Sequence, residues 1–250
     1  MKFVIVLPTY NEAENLPRMV SALFMQQLDF SLLVVDDNSP DGTGILADGL
    51  ARDYAGRMQV LHRPGKQGLR SAYIEGFRKA LELKPYGIVQ MDADFSHDPA
   101  VLPVMAGRLD SCNVVMGSRY IGGGSLDERW PLWRKGLSSF GNIYARGILS
   151  LPVRDATGGY RMWKCATLIG MPLSRIRSSG YIFQVEMAYV AHLLGFDIVE
   201  TPIHFADRRG GKSKMTLRIQ LEAAIRVWDV WWRYRDLRST YRKMRIRAQR

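Results

Sequence analysis

The sequence predicts an α/β fold, a mostly parallel sheet with helices on both faces, and three observations predict it. Short β-rich runs alternate with helical stretches through the first half of the chain. The β-rich runs are almost continuously apolar, as strands covered on both faces must be. Four polar clusters, Pro8–Glu12, Asp36–Asp41, Asp92–Ser96 and Gly117–Tyr120, directly follow such runs. In open α/β sheets ligands bind beyond the carboxyl ends of the strands, so these clusters are the candidate site.

The elements follow in order. Phe3–Leu7 reads as a buried strand, with a helix over 12–26 behind it. Leu32–Val35 is the second strand; it runs into Asp36-Asp37-Asn38-Ser39-Pro40-Asp41-Gly42, a dense turn cluster, and then a helix over 43–54. Met58–Leu61 leads through a glycine-containing loop to a helix over 71–83. Ile88–Met91 precedes a helix over 99–109, which Asp98-Pro99 opens as N-cap and first-turn proline. Asn113–Met116 is the fifth strand. Trp133, Leu137, Phe140, Tyr144 and Ile148 then recur at helical spacing, after the flexible Gly122-Gly123-Gly124-Ser125. That helix is either amphipathic and interfacial or packed in the core.

The 250 residues, 47% hydrophobic and 24% charged, suffice for a sizeable core and exclude a disordered or collagen-like chain. Cys112 and Cys165 are too few for a disulfide framework or a thiolate zinc cluster and suit a reducing compartment. The longest charge-free runs, such as Met187–Phe196, are about ten residues, half of the ~20 that a membrane-spanning helix needs. The N-terminus does not read as a signal peptide. The expectation is a cytoplasmic protein, peripheral on the cytoplasmic face of a membrane.

The net charge of +11 is unevenly spread. Residues 216–250 hold ten basic and three acidic side chains, leaving only +4 for the first 215. The chain therefore divides into a body, 1–215, and a basic tail, 216–250. Leu217, Leu221, Ile225, Trp228 and Trp232 form one helical stripe in that tail, with arginines beside it. Such a helix suits either an anionic membrane surface or ordinary docking on the body. Nucleic-acid binding is the competing class, but no RNP, zinc-finger or helix-turn-helix signature accompanies the charge.

The sharpest chemical feature is Asp92-Ala93-Asp94 at the end of a buried strand. Two such close carboxylates repel unless a cation lies beside them, and a hard divalent ion shared with substrate phosphates fits. The carboxylate of Asp37 can accept from a ribose hydroxyl or a base N–H, while its neighbours Asn38, Ser39 and Asp41 supply the turn. Arg63-Pro64-Gly65-Lys66-Gln67-Gly68 lacks the ending of a P-loop. The four histidines show no metal-ligand pairing and read as structural or surface residues.

Taken together these residues resemble the family 2 glycosyltransferases, and more narrowly the dolichyl- or polyprenyl-phosphate mannose synthases. The ordered matches are Pro8-Thr9-Tyr10-Asn11-Glu12, Val35 to Thr43, Lys66 to Leu69 with Ala72-Tyr73, Asp92 to His97, Gly117 to Tyr120, Asp155 to Arg161, Gly180 to Glu186 and Phe205 to Lys214. The resemblance implies a nucleotide-diphospho-sugar transferase (GT-A) fold and inverting transfer of mannose from GDP-mannose to a polyprenyl phosphate, with Mg²⁺ or Mn²⁺ as cofactor. It implies that Pro8, Tyr10, Glu12, Val35 and Asp37 cradle guanosine and that Asp92, Ala93 and Asp94 meet the ribose-diphosphate. Asp94 and, more weakly, Ser96 stand at metal-ligand positions. Arg119, Arg208 and Lys214 stand at phosphate contacts, and Arg119, Arg134 and Ser138 at the acceptor phosphate; Asp92, Asp94, Arg119 and Arg134 are the expected catalytic set. Arg161 either joins the phosphate-binding arginines or pairs with Asp155, and Arg209 is a further candidate. Arg70 and Gly158 stand where relatives often have Gly and Ser, and the C-terminal membrane helices of some relatives have no counterpart here. The acceptor is then reached through amphipathic surface or a separate membrane-protein partner. Another donor, such as UDP-glucose, is the alternative on the same fold.

Overall fold

The computed structural model describes residues 2–207 and 217–240, with the side chains of 217–223 outside that description. Its main sheet takes β1 (Phe3–Thr9), β2 (Phe30–Asp36), β3 (Met58–His62), β4 (Gly87–Gln90), β5 (Val114–Ser118), β7 (Arg161–Lys164) and β8 (Ile198–Pro202) in the order β3-β2-β1-β4-β7-β5-β8. Six of these strands are parallel; β7 alone runs against its neighbours, with Arg161 beside both Gln90 of β4 and Met116 of β5. β6 (Ser125–Leu126) and β9 (His204–Phe205) pair separately as a short parallel ribbon.

Side-chain alternation explains why the strands are apolar throughout. Phe3, Ile5 and Leu7 of β1 face a core shared with α1 (Leu16–Phe24), α2 (Thr43–Asp53) and α4 (Leu102–Leu109). Val4 and Val6 face the opposite core, shared with α3 (Leu69–Glu82), α5 (Leu132–Leu149), α6 (Cys165–Gly170), α7 (Gly180–Leu193) and α8 (Leu217–Arg233). The expected layered α/β architecture is thus present, with a period of two on every central strand.

Three helix starts differ from the sequence reading: α3 begins two residues early, at Leu69, and proline explains the other two. The helix expected over 12–26 begins at Leu16, where Pro17 occupies the first turn. The helix expected over 99–109 opens as a 3₁₀ turn, Pro99–Val101, and restarts as α4 with Pro103 in its first turn. Asp98 caps that turn as expected, accepting from the Ala100 N–H at 2.9 Å. Helix α3 lies unusually close to the sheet because residue 76 is glycine: a Cβ there would collide with Val6.

The C-terminal helix is held by the body. Val227, Val230 and the following Tyr234 are buried in the core beside α5 and α7. Glu186 on α7 is fully buried and accepts from Arg233 Nη1 at 2.7 Å, the Tyr234 hydroxyl at 3.0 Å, and the backbone N–H groups of Arg177 and Ser178 at 3.1 and 2.7 Å. The stripe read from sequence is not the docked face: Ile225, Trp228 and Trp232 point outward. Helix α8 is therefore apolar on two sides. Replacing Glu186 by Ala removes the acceptor from a buried charged network, so urea unfolding should show a loss of about 3 kcal/mol, with α8 becoming the first segment cut by protease.

Candidate active site

The carboxyl ends of β2, β1 and β4 are adjacent, and each is followed by a non-glycine residue in the left-handed region: Asn38 (φ 55°), Asn11 (φ 61°) and Phe95 (φ 62°). Asparagine tolerates this conformation; a phenylalanine there carries real strain, of the kind that concentrates at functional sites.

On the β1–β2 side, Pro8 lies beside Val35 in the sheet and the Asp37 N–H donates to Thr9 O at 3.1 Å. Val35 is wholly buried, seated in the sheet between Pro8 and Leu61. Asp36 and Asp37 have different roles. Asp36 accepts from Thr9 Oγ1 at 3.0 Å and from Ser39 N and Oγ at 3.1 and 2.6 Å, which makes it the carboxylate of the turn. Asp37 is paired with the buried guanidinium of Arg63. The Lys66 ammonium covers the Tyr10 ring, 3.7 Å from its centroid. Glu12 accepts from Asn15 Nδ2 at 2.8 Å.

The paired carboxylates follow β4. Asp92 accepts from the hydroxyl of Tyr73 on α3 at 2.8 Å. Burial, and then the Asp92 charge, push the Tyr73 hydroxyl well above the ordinary range, so it stays a donor. The Asp92 N–H donates to His97 Nδ1 at 3.0 Å, which makes Nδ1 the acceptor and places the ring proton on Nε2. Asp94 Oδ1 accepts from Ser96 N at 3.0 Å and from Ser96 Oγ at 2.5 Å. Ser96 is therefore seated as a support for Asp94. Ala93 is buried and offers its backbone.

Opposite them lies a cationic side. Arg119, at the end of β5, is held by Asp155 through Nε and Nη2, each at 2.7 Å, and by Thr157 Oγ1 at 2.7 Å. Burial favours the neutral form of Asp155, but the Arg119 charge outweighs it and holds the carboxyl below its usual range. Arg134 of α5 stacks on Trp130, 3.5 Å from its ring centroid, and reaches Asp207 at 3.4 Å. Ser138, one turn on, accepts from the Tyr120 hydroxyl at 2.7 Å. Phe205 joins the two sides: its ring meets those of His97 and Trp130 at 5.9 and 5.8 Å, and the Arg119 guanidinium lies 5.1 Å from its centroid. Arg161 is neither a surface phosphate ligand nor the partner of Asp155. It is fully buried, donates to the carbonyls of Gly158 and Ala156 at 3.0 and 2.9 Å, and burial lowers it to about 9. Arg208, Arg209 and Lys214 lie outside the described residues.

The structure thus gathers Asp92, Asp94, Arg119, Arg134 and Ser138 around one aromatic junction, with the Asp37 cluster on the next two strands. Tyr73 and Thr157 fall within the matched motifs and Arg63 within the loop after β3, but nothing in the sequence shows that they bond to Asp92, Arg119 and Asp37, and Asn142 carries no signal at all. His97 was set aside for want of a metal-ligand pattern; its role is to accept a backbone N–H.

Carboxylates followed by phosphate-type arginines at the strand ends of an α/β sheet define a nucleotide-dependent transferase. Residues 4–168 match Glycosyl transferase family 2, and the chain belongs to that family. It is 42% identical over 241 residues to the undecaprenyl-phosphate mannosyltransferase of Micrococcus luteus, covering 96% of this chain and 98% of that protein. It is 40% identical over 242 residues to the polyprenol monophosphomannose synthase of Mycolicibacterium smegmatis, covering 96% and 91%. Among solved structures, a mannosyltransferase from Pyrobaculum calidifontis in complex with GDP-Man and Mn²⁺ superposes with a TM-score of 0.61 at 16% identity, over 88% of this chain and 60% of that one. Glucosyl-3-phosphoglycerate synthase from Mycobacterium tuberculosis, with Mn²⁺, UDP and glucosyl-3-phosphoglycerate, gives 0.62 at 16% identity, over 92% and 78%. At that identity the likeness is one of fold.

Tyr73→Phe keeps the buried ring and removes one hydrogen bond from Asp92. Its melting temperature should stay within a few degrees of the parent, while Mn²⁺ affinity, read by electron paramagnetic resonance in the presence of nucleotide, should fall about tenfold.

Proposed function

We propose that this protein transfers mannose from GDP-mannose to a polyprenyl phosphate with inversion. The observation that carries the reading is the two-sided site: a carboxylate pair beside the Asp37 cluster on one side, and on the other Arg119 after β5 and Arg134 on α5, a helix whose outer surface is apolar. The two curated relatives, matched over nearly the whole chain, bear names of the same activity.

In this reading Pro8, Tyr10, Glu12, Val35 and Asp37 cradle guanosine, Asp37 through its carboxylate. Asp92, Ala93 and Asp94 flank the ribose-diphosphate. The Asp92 and Asp94 carboxylates are hard oxygen donors suited to Mg²⁺ or Mn²⁺. Among the described residues no cluster of three metal-ligating side chains occurs, which fits an ion completed by substrate phosphates and water. Such an ion supplies charge neutralisation on the leaving diphosphate. Arg119, Arg208 and Lys214 serve the donor phosphates, and Arg119, Arg134 and Ser138 the acceptor phosphate.

The acceptor phosphate is already an anion, so no general base is needed. Its oxygen bonds to mannose C1 as the bond from C1 to the β-phosphate oxygen breaks, and GDP leaves with the electron pair. The obstacle is bringing one anion to another. Arg119 and Arg134, both held in fixed orientation before substrate arrives, answer it by preorganised charge.

The acceptor's prenyl chain lies in lipid, and the α5–α8 surface suits an anionic bilayer. Leu132, Trp133, Phe140 and Ile143 of α5 and Ile225, Trp228 and Trp232 of α8 are all exposed. Tyr144 links the two sets, stacking near Phe140 at 6.1 Å and accepting from Trp228 Nε1 at 3.0 Å. No helix among the described residues is long and apolar enough to cross a membrane. We place the protein peripherally, with this face on the lipid.

The direct test is incubation of radiolabelled GDP-mannose, with UDP-glucose in parallel, with and without a short polyprenyl phosphate and EDTA. A chelator-sensitive, chloroform-extractable mannolipid is expected, and Asp94→Ala should lose it by at least about a hundredfold; a glucolipid in its place would reassign the donor. Trp133→Asp combined with Trp228→Asp should weaken binding to phosphatidylglycerol-containing vesicles while sparing turnover on a detergent-solubilised acceptor.

A further inference from the structure

Arg63 is itself assigned no substrate contact, yet its buried guanidinium bonds to Asp37 and to three residues of α3 and the loop before it. It stands just after β3, and its backbone N–H donates to Asp36 O at 2.9 Å. Its side chain is buried. Nη1 pairs with Asp37, Nε donates to Glu75 Oε2 at 3.1 Å, and Nη2 donates to Ser71 Oγ at 2.8 Å, Gln67 Oε1 at 3.1 Å and Glu75 Oε1 at 3.2 Å. Ser71 and Glu75 are one turn apart on α3, so the guanidinium is clamped from one helix face and fixed in plane. Asp36 and Asp37 are adjacent and both buried. Asp36 is compensated by neutral hydroxyl and amide donors alone, so Arg63 is the cation that faces this pair among the described residues.

We propose that Arg63 is a positioning residue for recognition of the nucleotide base. It ties Asp37 Oδ1 down and leaves Oδ2, which has no hydrogen bond among the described residues, as the acceptor for base N–H groups. A guanidinium suits this task because its fork binds Asp37 and the α3 acceptors at once, at fixed angles; an ammonium restores the charge but not the geometry. Without either, a buried carboxylate beside a second one has no compensating charge and swings away from the base position. The inference rests on Asp37 facing the base, as proposed above.

Calorimetric titration of GDP separates the two. Arg63→Met should raise the GDP dissociation constant by at least about tenfold and Arg63→Lys by a smaller factor. kcat at saturating donor should change by less than about threefold while donor KM rises in parallel, a split that a general loss of packing does not produce. The Asp37→Ala/Arg63→Met double variant should bind no more weakly than Asp37→Ala alone, since both act through one contact. Melting temperatures without nucleotide identify any variant that fails to fold, and Arg63→Lys carries the test if Arg63→Met does. Unchanged GDP affinity in both Arg63 variants, with Asp37→Ala weakened, overturns the role of Arg63 and leaves the base contact standing. Unchanged affinity in Asp37→Ala overturns the base contact itself, and the proposal with it.

Discussion

A fully buried carboxylate organises the phosphate side of this molecule. Asp155 sits in the loop before β7 and accepts three hydrogen bonds from Arg119, from its backbone N–H, Nε and Nη2. Its own N–H and that of Arg154 are held by Glu200 of β8 at 2.9 and 2.7 Å. Thr157 extends the network to Asn142 of α5, whose Nδ2 lies 3.0 Å from the threonine hydroxyl. One ion pair thus fixes the end of β5, the loop into β7 and the register of the acceptor-side helix. Burying two charges is costly, and what it secures here is geometry: the guanidinium cannot follow a ligand, so a ligand must come to it.

The same economy holds on the nucleotide side. No residue of helix α3 is a proposed substrate ligand, yet Tyr73 braces Asp92 while Ser71 and Glu75 brace Arg63. Its closeness to the sheet at Gly76 makes both reaches possible. Asp92 and, through Arg63, Asp37 are therefore both braced from one helix behind the sheet.

Much of this was legible in the residues. Apolar runs followed by polar clusters located four strand ends, and the alternation of Val4 and Val6 with Ile5 and Leu7 across two cores shows why those runs are unbroken. Asp92 and Asp94 follow β4 and Arg119 follows β5, the strand ends that the apolar runs had marked. What escaped was pairing across sequence distance. Asp155 had an obvious neighbour in Arg161, six residues on, but its partner is Arg119, 36 residues back. The reversed β7 and the short β6–β9 ribbon escaped because segments of two to four residues carry no periodicity to read. In α8 the aromatic stripe was visible, but which of two apolar faces docks depends on Glu186, a residue on another helix.

The position of β7 also bears on how the chain assembles. It lies between β4 and β5, which precede it by about seventy and forty residues and never pair with one another. Its reversed direction delivers its entry loop, with Asp155, to the end of the sheet where its neighbours exit. The sheet consequently cannot close in the order of synthesis. No ladder can bridge β4 and β5 until Arg161–Lys164 has left the ribosome, so the strands on the two sides of β7 become one sheet only through that late insertion.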